Sequence, residues 1–164
     1  MATSDAGEQQ EWKMLAEASE QEREAKILER YRELAALPEE ALRSQMEALV
    51  PQEYELPDNK LRAFTISRLR SWLALEPEEA KKIATVYDSI MRQKMPGPQA
   101  MRRVSTVQTV ARDFSREDQN RLMELVPGVF AGARLGVTPP VYRPEPTPTA
   151  PAKQSRGWWP FKRR

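Results

Sequence analysis

Apolar residues recur at intervals of three or four positions along most of the chain up to about residue 130, the spacing that gathers them on one face of an α-helix. No segment alternates apolar and polar residues with a period of two, so the pattern predicts no β-strand. Prolines or helix-capping residues separate the periodic segments. The sequence therefore predicts six helices, the first from about Glu8 to Leu37 and the others starting near Pro38, Pro57, Glu76, Pro98 and Ser115.

The boundaries of these helices follow from local chemistry. Proline suits the first turn of a helix, where a missing N–H costs no hydrogen bond, so Pro38 and Pro77 mark helix starts. We expect Asp58 to cap the third helix, and Ser115 to open a capping box. Pro51 is expected to end the second helix, because proline cannot donate the next backbone hydrogen bond.

The apolar face of each helix supplies the predicted core. In the first helix a polar stretch from Ser19 to Glu24 interrupts that face, so we expect the helix to dock mainly through its C-terminal half. The predicted core residues of the later helices are Leu42, Met46, Leu49, Val50, Leu61, Phe64, Leu69, Trp72, Leu73, Ile83, Val86, Tyr87, Ile90, Met91, Met101, Val104, Val107, Val110, Ala111, Phe114, Leu122, Leu125, Val126 and Val129.

The predicted fold class is all-α, a small helical bundle of five to six short helices with extensions at both ends. Residues 1–24 form an acidic helical extension and residues 25–132 the bundle, followed by a disordered proline-rich linker at 133–155 and a peptide at 156–164. Starts at Pro38, Pro77 and Ser115 lie 39 and 38 residues apart, so degenerate helical-hairpin repeats are an alternative to a simple bundle.

Composition excludes several kinds of chemistry. The chain has no histidine and no cysteine, which removes disulfides, thiolate zinc sites and the Ser-His and Cys-His catalytic pairs. The adjacent carboxylates Glu39/Glu40 and Glu78/Glu79 stand in the first turns of helices, where acids complement the helix dipole. We therefore expect a protein that is not an enzyme and that binds no cofactor or metal.

Charge is distributed unevenly along the chain. Residues 1–40 carry 11 acidic and 5 basic side chains, whereas residues 143–164 carry 1 acidic and 6 basic ones. The N-terminus has neither the basic region nor the apolar region of a secretory signal, so we expect a cytoplasmic protein. Its basic end would suit a peripheral position at the inner face of a membrane.

The C-terminal peptide combines aromatic and basic residues beyond a stretch that contains six prolines between residues 138 and 151. Tryptophan favours the headgroup layer of membranes, and it is also a frequent anchor in protein pockets. The stretch Trp-Trp-Pro-Phe-Lys-Arg-Arg resembles the Trp/Pro/Arg-rich antimicrobial peptides of the cathelicidin group, a resemblance that implies a preference for interfaces. The predicted partner-binding or membrane-binding residues are Arg156, Trp158, Trp159, Phe161, Lys162, Arg163 and Arg164.

A second candidate site lies on the fifth predicted helix. Arg102 and Arg112 share a stripe with Ser105 and Thr109, and Arg103 lies beside it, a pattern that would suit nucleic acid or another anionic partner. Together the patterns predict a non-catalytic adaptor or accessory protein that its C-terminal peptide recruits to a membrane surface or a partner protein. The alternative is a nucleic-acid-associated accessory factor that uses these arginines and the tail. The oligomeric state stays open.

Overall fold

The computed structural model describes the backbone of residues 2–131 and the side chains from residue 6 onward. Within that range the chain is all-α and contains no strand, as predicted. A single 3₁₀ turn at Leu15–Glu17 follows the first of eight helices. The helices are α1 (Ala2–Met14), α2 (Glu20–Ala35), α3 (Glu39–Glu53), α4 (Asp58–Ala74), α5 (Pro77–Gln93), α6 (Gly97–Ala111), α7 (Arg116–Leu125) and α8 (Pro127–Phe130).

The prediction of one continuous helix from Glu8 to Leu37 was wrong. Ala18 has an extended backbone (φ −71°, ψ 160°), and Ser19 starts α2 by accepting a hydrogen bond from the Glu22 N–H at 3.3 Å. The chain therefore changes direction between Leu15 and Ser19, and the polar residues from Glu20 to Glu24 form the first turns of α2. Because Trp12 of α1 lies in the core, the predicted N-terminal extension and the bundle share one hydrophobic interior.

The boundary of α3 also differs from the expectation. The helix passes through Pro51 and ends at Glu53, with Tyr54 as its C-terminal cap. Proline inside a helix lacks the N–H that would bond the carbonyl four residues earlier, and α3 continues only two residues beyond it. The extra half-turn matters because it carries Glu53 onto the buried face of α3, where it is 1% exposed.

Three other predicted starts can be compared directly. Pro77 occupies the first turn of α5, and the Ser115 hydroxyl accepts a hydrogen bond from the Asp118 N–H at 3.1 Å, so both helix starts are confirmed. The reciprocal bond of a capping box, from the Ser115 N–H to the Asp118 carboxylate, is absent among the described residues. Asp58, in contrast, is not the cap of α4. Pro57 holds that position without a side-chain hydrogen bond, and the Asp58 carboxylate binds Arg102 instead.

Helix α4 is the central element of the described body. It packs against α2, α5, α6, α7 and the 3₁₀ turn, while α3 packs between α1 and α5. The short helix α8 folds back on α6 and α7. All eight helices contribute buried apolar residues to one continuous cluster, which includes Trp12 of α1 and Phe130 of α8.

Most predicted core residues are buried, but Met101 is 68% exposed. It was expected to share a face with Val110, because apolar residues follow one another at 101, 104, 107 and 110. Each three-residue step falls about 60° short of a full turn at 3.6 residues per turn, so three successive steps rotate the side chain by about half a turn. Val110 faces the core, and Met101 consequently points to solvent.

Trp12 is the one large side chain by which α1 enters the core. Its ring makes edge contacts with Tyr31 and Phe64, at centroid distances of 5.8 and 5.4 Å, and its Nε1 donates a hydrogen bond to Glu53 Oε1 at 3.2 Å. We expect Trp12→Ala to lower the free energy of unfolding by about 3–5 kcal/mol, because it leaves a cavity and an acceptor without its donor.

Urea unfolding followed by circular dichroism measures this loss. The matched control is Met14→Ala, two residues away in the same helix, whose side chain is 54% exposed and should change stability by less than about 0.5 kcal/mol. Equal effects of the two substitutions would mean that α1 is not anchored through Trp12.

Candidate functional site

Two oppositely charged side chains lie in the middle of the hydrophobic cluster. Glu53 at the end of α3 and Arg68 in α4 are each only 1% exposed, and Arg68 Nη1 forms an ion pair with Glu53 Oε2. We call Glu53 and Arg68 the core ion pair. Removing such charges from water costs several kcal/mol per ion, so the pair is tolerated only where further hydrogen bonds compensate for the lost water.

Those hydrogen bonds come from aromatic residues on other helices. The Tyr87 hydroxyl donates to Glu53 Oε2 at 2.7 Å and accepts from Arg68 Nη1 at 2.6 Å, while Trp12 Nε1 donates to the other carboxylate oxygen. The hydroxyls of Tyr54 and Tyr87 lie 3.0 Å apart. Burial raises the pKa of Glu53, and its contacts with Arg68, Tyr87 and Trp12 offset part of that rise.

A second guanidinium approaches Tyr87 from α6. Arg103 is 4% exposed, donates to Asp88 Oδ1 at 2.6 Å and lies 5.3 Å from the centre of the Tyr87 ring. The Arg68 guanidinium lies 4.5 Å from the same ring. Tyr87 therefore makes cation–π contacts with two guanidiniums, and such contacts are strongest where both groups are desolvated.

The three arginines proposed for an anionic partner thus have different environments. Arg102 donates to the backbone oxygens of Tyr54 at 2.9 Å and Leu56 at 2.6 Å, and to Asp58 Oδ1. Those carbonyls follow the end of α3, so Arg102 fastens the α3–α4 connection to α6. Arg103 is buried, and Arg112 is exposed. This geometry weighs against Arg103 as a contact for nucleic acid, and the proposed stripe itself stays a prediction.

A shallow groove between α4 and α6 contains much of that stripe. Its volume is about 280 Å³, and we call it the α4/α6 groove. Two guanidiniums and three hydroxyls give it several hydrogen-bond donors, which suits a small anionic group better than an apolar one. The groove is lined by Asp58, Arg62, Arg102, Ser105, Thr106, Thr109 and Val110.

A groove of similar size, about 250 Å³, lies between α2 and α4. Arg70 at its edge contacts both Glu20 and Glu24, and the hydrogen bond that Arg70 donates to Glu24 is the main cause that raises the pKa of Arg70. Because these acids already bind an arginine of the same protein, this groove presents less free charge than the α4/α6 groove.

The predicted partner-binding residues of the tail, from Arg156 to Arg164, lie outside the described residues. Within residues 2–131, no three acidic side chains come close enough together to hold a metal ion. In the same range no helix is both long and apolar enough to cross a membrane.

Sequence reasoning missed the core ion pair, although the spacing contained it. Glu53 stands three residues after Val50 and seven after Met46, so it continues the apolar face of α3 once Pro51 is accepted inside the helix. Arg68 stands four residues after Phe64 and four before Trp72, both of which belong to the predicted core face of α4. In each helix a charged residue occupies a core position.

The fold and the contacts define an all-α protein built around a buried ion pair. No protein-family model matches the chain, and neither the curated proteins nor the solved structures contain a significant match.

The core ion pair should show strong coupling in a double-mutant cycle. Arg68→Met alone leaves a buried carboxylate without its cation and should lower the free energy of unfolding by about 3–5 kcal/mol. Glu53→Gln should lower it by less, because the amide keeps an oxygen that can accept hydrogen bonds. The double variant should cost clearly less than the sum of the two single ones, by more than about 1 kcal/mol. Urea unfolding at neutral pH measures the cycle, with the exposed Arg32→Met as control. Additive losses would mean that the two charges do not stabilise each other.

Three of the four tyrosines should resist ionisation in the native protein. Burial is the main cause that raises the pKa of Tyr31, Tyr54 and Tyr87 above the ordinary value of 10.0. An acid with a raised pKa in the folded state contributes stability that is fully present below its unfolded pKa and is lost as the pH rises above it. Stability should therefore fall steeply above about pH 10, because unfolding releases these protons.

Tyrosinate absorbance near 295 nm follows this process. Tyr142 lies outside the described residues, so the variant Tyr142→Phe isolates the three buried hydroxyls. In that variant the absorbance should rise only together with the loss of helical circular dichroism. Ionisation of these tyrosines near pH 10 while the helices remain folded would contradict the buried network.

Proposed function

We propose that this chain is a non-catalytic adaptor or accessory protein whose helical body carries a C-terminal recruiting peptide. In this proposal the body is a small bundle, residues 133–155 are a proline-rich spacer, and residues 156–164 bind a membrane surface or a partner protein. The protein acts in the cytoplasm, where membrane binding would be peripheral. The hairpin-repeat interpretation of the bundle stays a prediction within this scheme.

The observation that carries the proposal is the contrast between the body and the tail. Among the described residues, only Met14 and Met101 are large apolar side chains that are exposed, and Trp12 and Trp72 are both buried. The sequence nevertheless places two further tryptophans and a phenylalanine within its last seven residues. Apolar side chains that the body does not need for its own core are the ones we expect a partner to bind.

The end of the described body supports the same arrangement. Val129 and Phe130 are buried, and Gln108 Nε2 donates to the Val129 carbonyl oxygen at 2.7 Å, so α8 is attached to α6. The 33 residues after Ala131 therefore start from a fixed point on the body. A tethered peptide gains local concentration at its target, which compensates for its short length.

Both candidate targets fit the chemistry of the tail. Arginine and lysine near an anionic membrane surface contribute about 1 kcal/mol each, and tryptophan adds a preference for the headgroup layer. These contributions correspond to reversible rather than permanent membrane binding. A protein pocket would use the tryptophans as buried anchors and the basic residues at its rim.

The alternative, a nucleic-acid-associated factor, has weaker support. Arg102 is bonded to the α3–α4 connection, and Arg103 is buried against Asp88, so two of its three helix arginines already have partners within the protein. Nucleic acid would depend mainly on Arg112 and the tail.

Cosedimentation with vesicles tests the membrane target. The full chain should bind vesicles that contain anionic lipid, and Trp158→Ala with Trp159→Ala should weaken binding by about tenfold or more, because each ring contributes more than about 1 kcal/mol when inserted. The matched control, Thr147→Ala with Thr149→Ala in the spacer, should bind as the wild type does.

Failure of all variants to bind vesicles would leave the protein target, which a pull-down with the immobilised peptide 150–164 tests. A partner that the wild-type peptide captures and the double tryptophan variant loses would support recruitment by a protein. If vesicles did not distinguish the wild-type chain from the double tryptophan variant, and no protein distinguished the corresponding peptides, the proposed role of the tail would be wrong.

A further inference from the structure

We propose that the α4/α6 groove binds an acidic peptide segment of a partner protein, with Arg62 as the residue that receives a carboxylate. The groove is formed by residues 58–110, none of which belongs to the tail, so the proposal does not depend on what the tail binds. It would give the proposed adaptor a second docking site on its folded body.

Arg62 is the residue in the groove that has most binding capacity left. Its side chain is 53% exposed, and its nearest acidic atom, Asp113 Oδ2, is 3.6 Å from Nη2. Charge-assisted hydrogen bonds measure about 2.7–2.9 Å, so this pair is in loose contact only. Among the described residues the Arg62 guanidinium makes no hydrogen bond, and a planar guanidinium is well shaped to bind a carboxylate with two parallel bonds.

The opposite wall of the groove is held rigid by Arg102. That guanidinium makes four hydrogen bonds, two to backbone carbonyls and two to Asp58 Oδ1. Asp58 is therefore neutralised by Arg102 and does not compete for Arg62. A wall that is already ordered loses little conformational entropy when a ligand binds.

Hydroxyl groups line the floor between these two arginines. Thr109 Oγ1 donates to the Ser105 carbonyl at 2.8 Å, and among the described residues the Ser105 and Thr106 hydroxyls make no hydrogen bond. They can donate to a carboxylate or to the backbone carbonyls of a bound peptide. Met101, one helical turn before Ser105 and 68% exposed, offers an apolar contact beside the polar groove.

These features favour a peptide over nucleic acid. Asp113 lies beside Arg62, and the groove of about 280 Å³ has room for one or two side chains. A nucleic-acid backbone presents a closely spaced row of phosphates, so phosphates next to the one at Arg62 would approach Asp113. A peptide with spaced carboxylates places one charge at Arg62 and an apolar residue at Met101.

Fluorescence anisotropy with the full chain tests the proposal. The probe is a labelled peptide rich in Asp and Glu with interspersed Leu, and the matched probe carries Asn and Gln in place of the acids. The wild type should bind the acidic probe, more weakly at higher salt, and should bind the amide probe at least about tenfold less well. Arg62→Gln should weaken binding of the acidic probe by about tenfold, the value of one charge-assisted contact.

The control is Arg32→Gln, which removes the same charge from an exposed position on α2 and should leave binding unchanged. Thr106→Val should weaken binding several-fold without a change of charge. The triple variant Lys162→Gln, Arg163→Gln and Arg164→Gln should retain the dependence on Arg62, which separates this site from the tail.

Three results would overturn the proposal. They are the absence of binding by the wild type, an equal effect of Arg62→Gln and Arg32→Gln, and a loss of binding in the triple tail variant alone. If a single-stranded oligonucleotide bound more tightly than the peptide and also required Arg62, the groove would instead be a nucleic-acid site.

Discussion

The ion pair between Glu53 and Arg68 is the interaction on which the packing of this body depends. A buried carboxylate and a buried guanidinium need further hydrogen-bond partners, and here those partners come mainly from separate helices, although among the described residues Arg68 Nε has none. Tyr87 supplies a hydroxyl from α5, and Trp12 supplies an indole N–H from α1. The pair joins four helices, because displacement of any one of them removes a hydrogen-bond or ion-pair partner from a buried charged group.

The same requirement explains why α6 carries two adjacent arginines. Arg103 is directed inward to Asp88 and the face of Tyr87, and Arg102 is directed sideways to the carbonyls that follow α3. Arg103 therefore supports α5 through Asp88 and the Tyr87 ring, and Arg102 supports the connection between α3 and α4, the two helices that carry the core ion pair. In α6 the charges of Arg102 and Arg103 are therefore used in contacts within the protein. Arg112, just after the helix, remains exposed.

The all-α class and most of the core were predictable from the sequence, because helical periodicity records which face is buried. The predictions were wrong where a residue departs from the usual preference of its type. Pro51 has a strong general preference to end helices, and nothing local reveals that Glu53 gains its compensating contacts from Trp12 and Tyr87, 41 residues before it and 34 after it. Met101 failed for a geometric reason, since repeated three-residue steps rotate around the helix. The α4/α6 groove could not be predicted from the sequence, because two helices that are distant in sequence form it.

This packing separates the residues that stabilise the fold from those at the surface that can bind a partner. Nearly all large apolar side chains of the described residues lie in the core, and the buried charged side chains there have hydrogen-bond partners within the protein, so changes inside the body act on stability. Arg62 differs because its charge is at the surface and only loosely paired with Asp113. An exposed, loosely paired arginine contributes little to folding, whereas a partner that desolvates it can gain a full charge-assisted contact. Residues of that kind can change with the partner without disturbing the core ion pair.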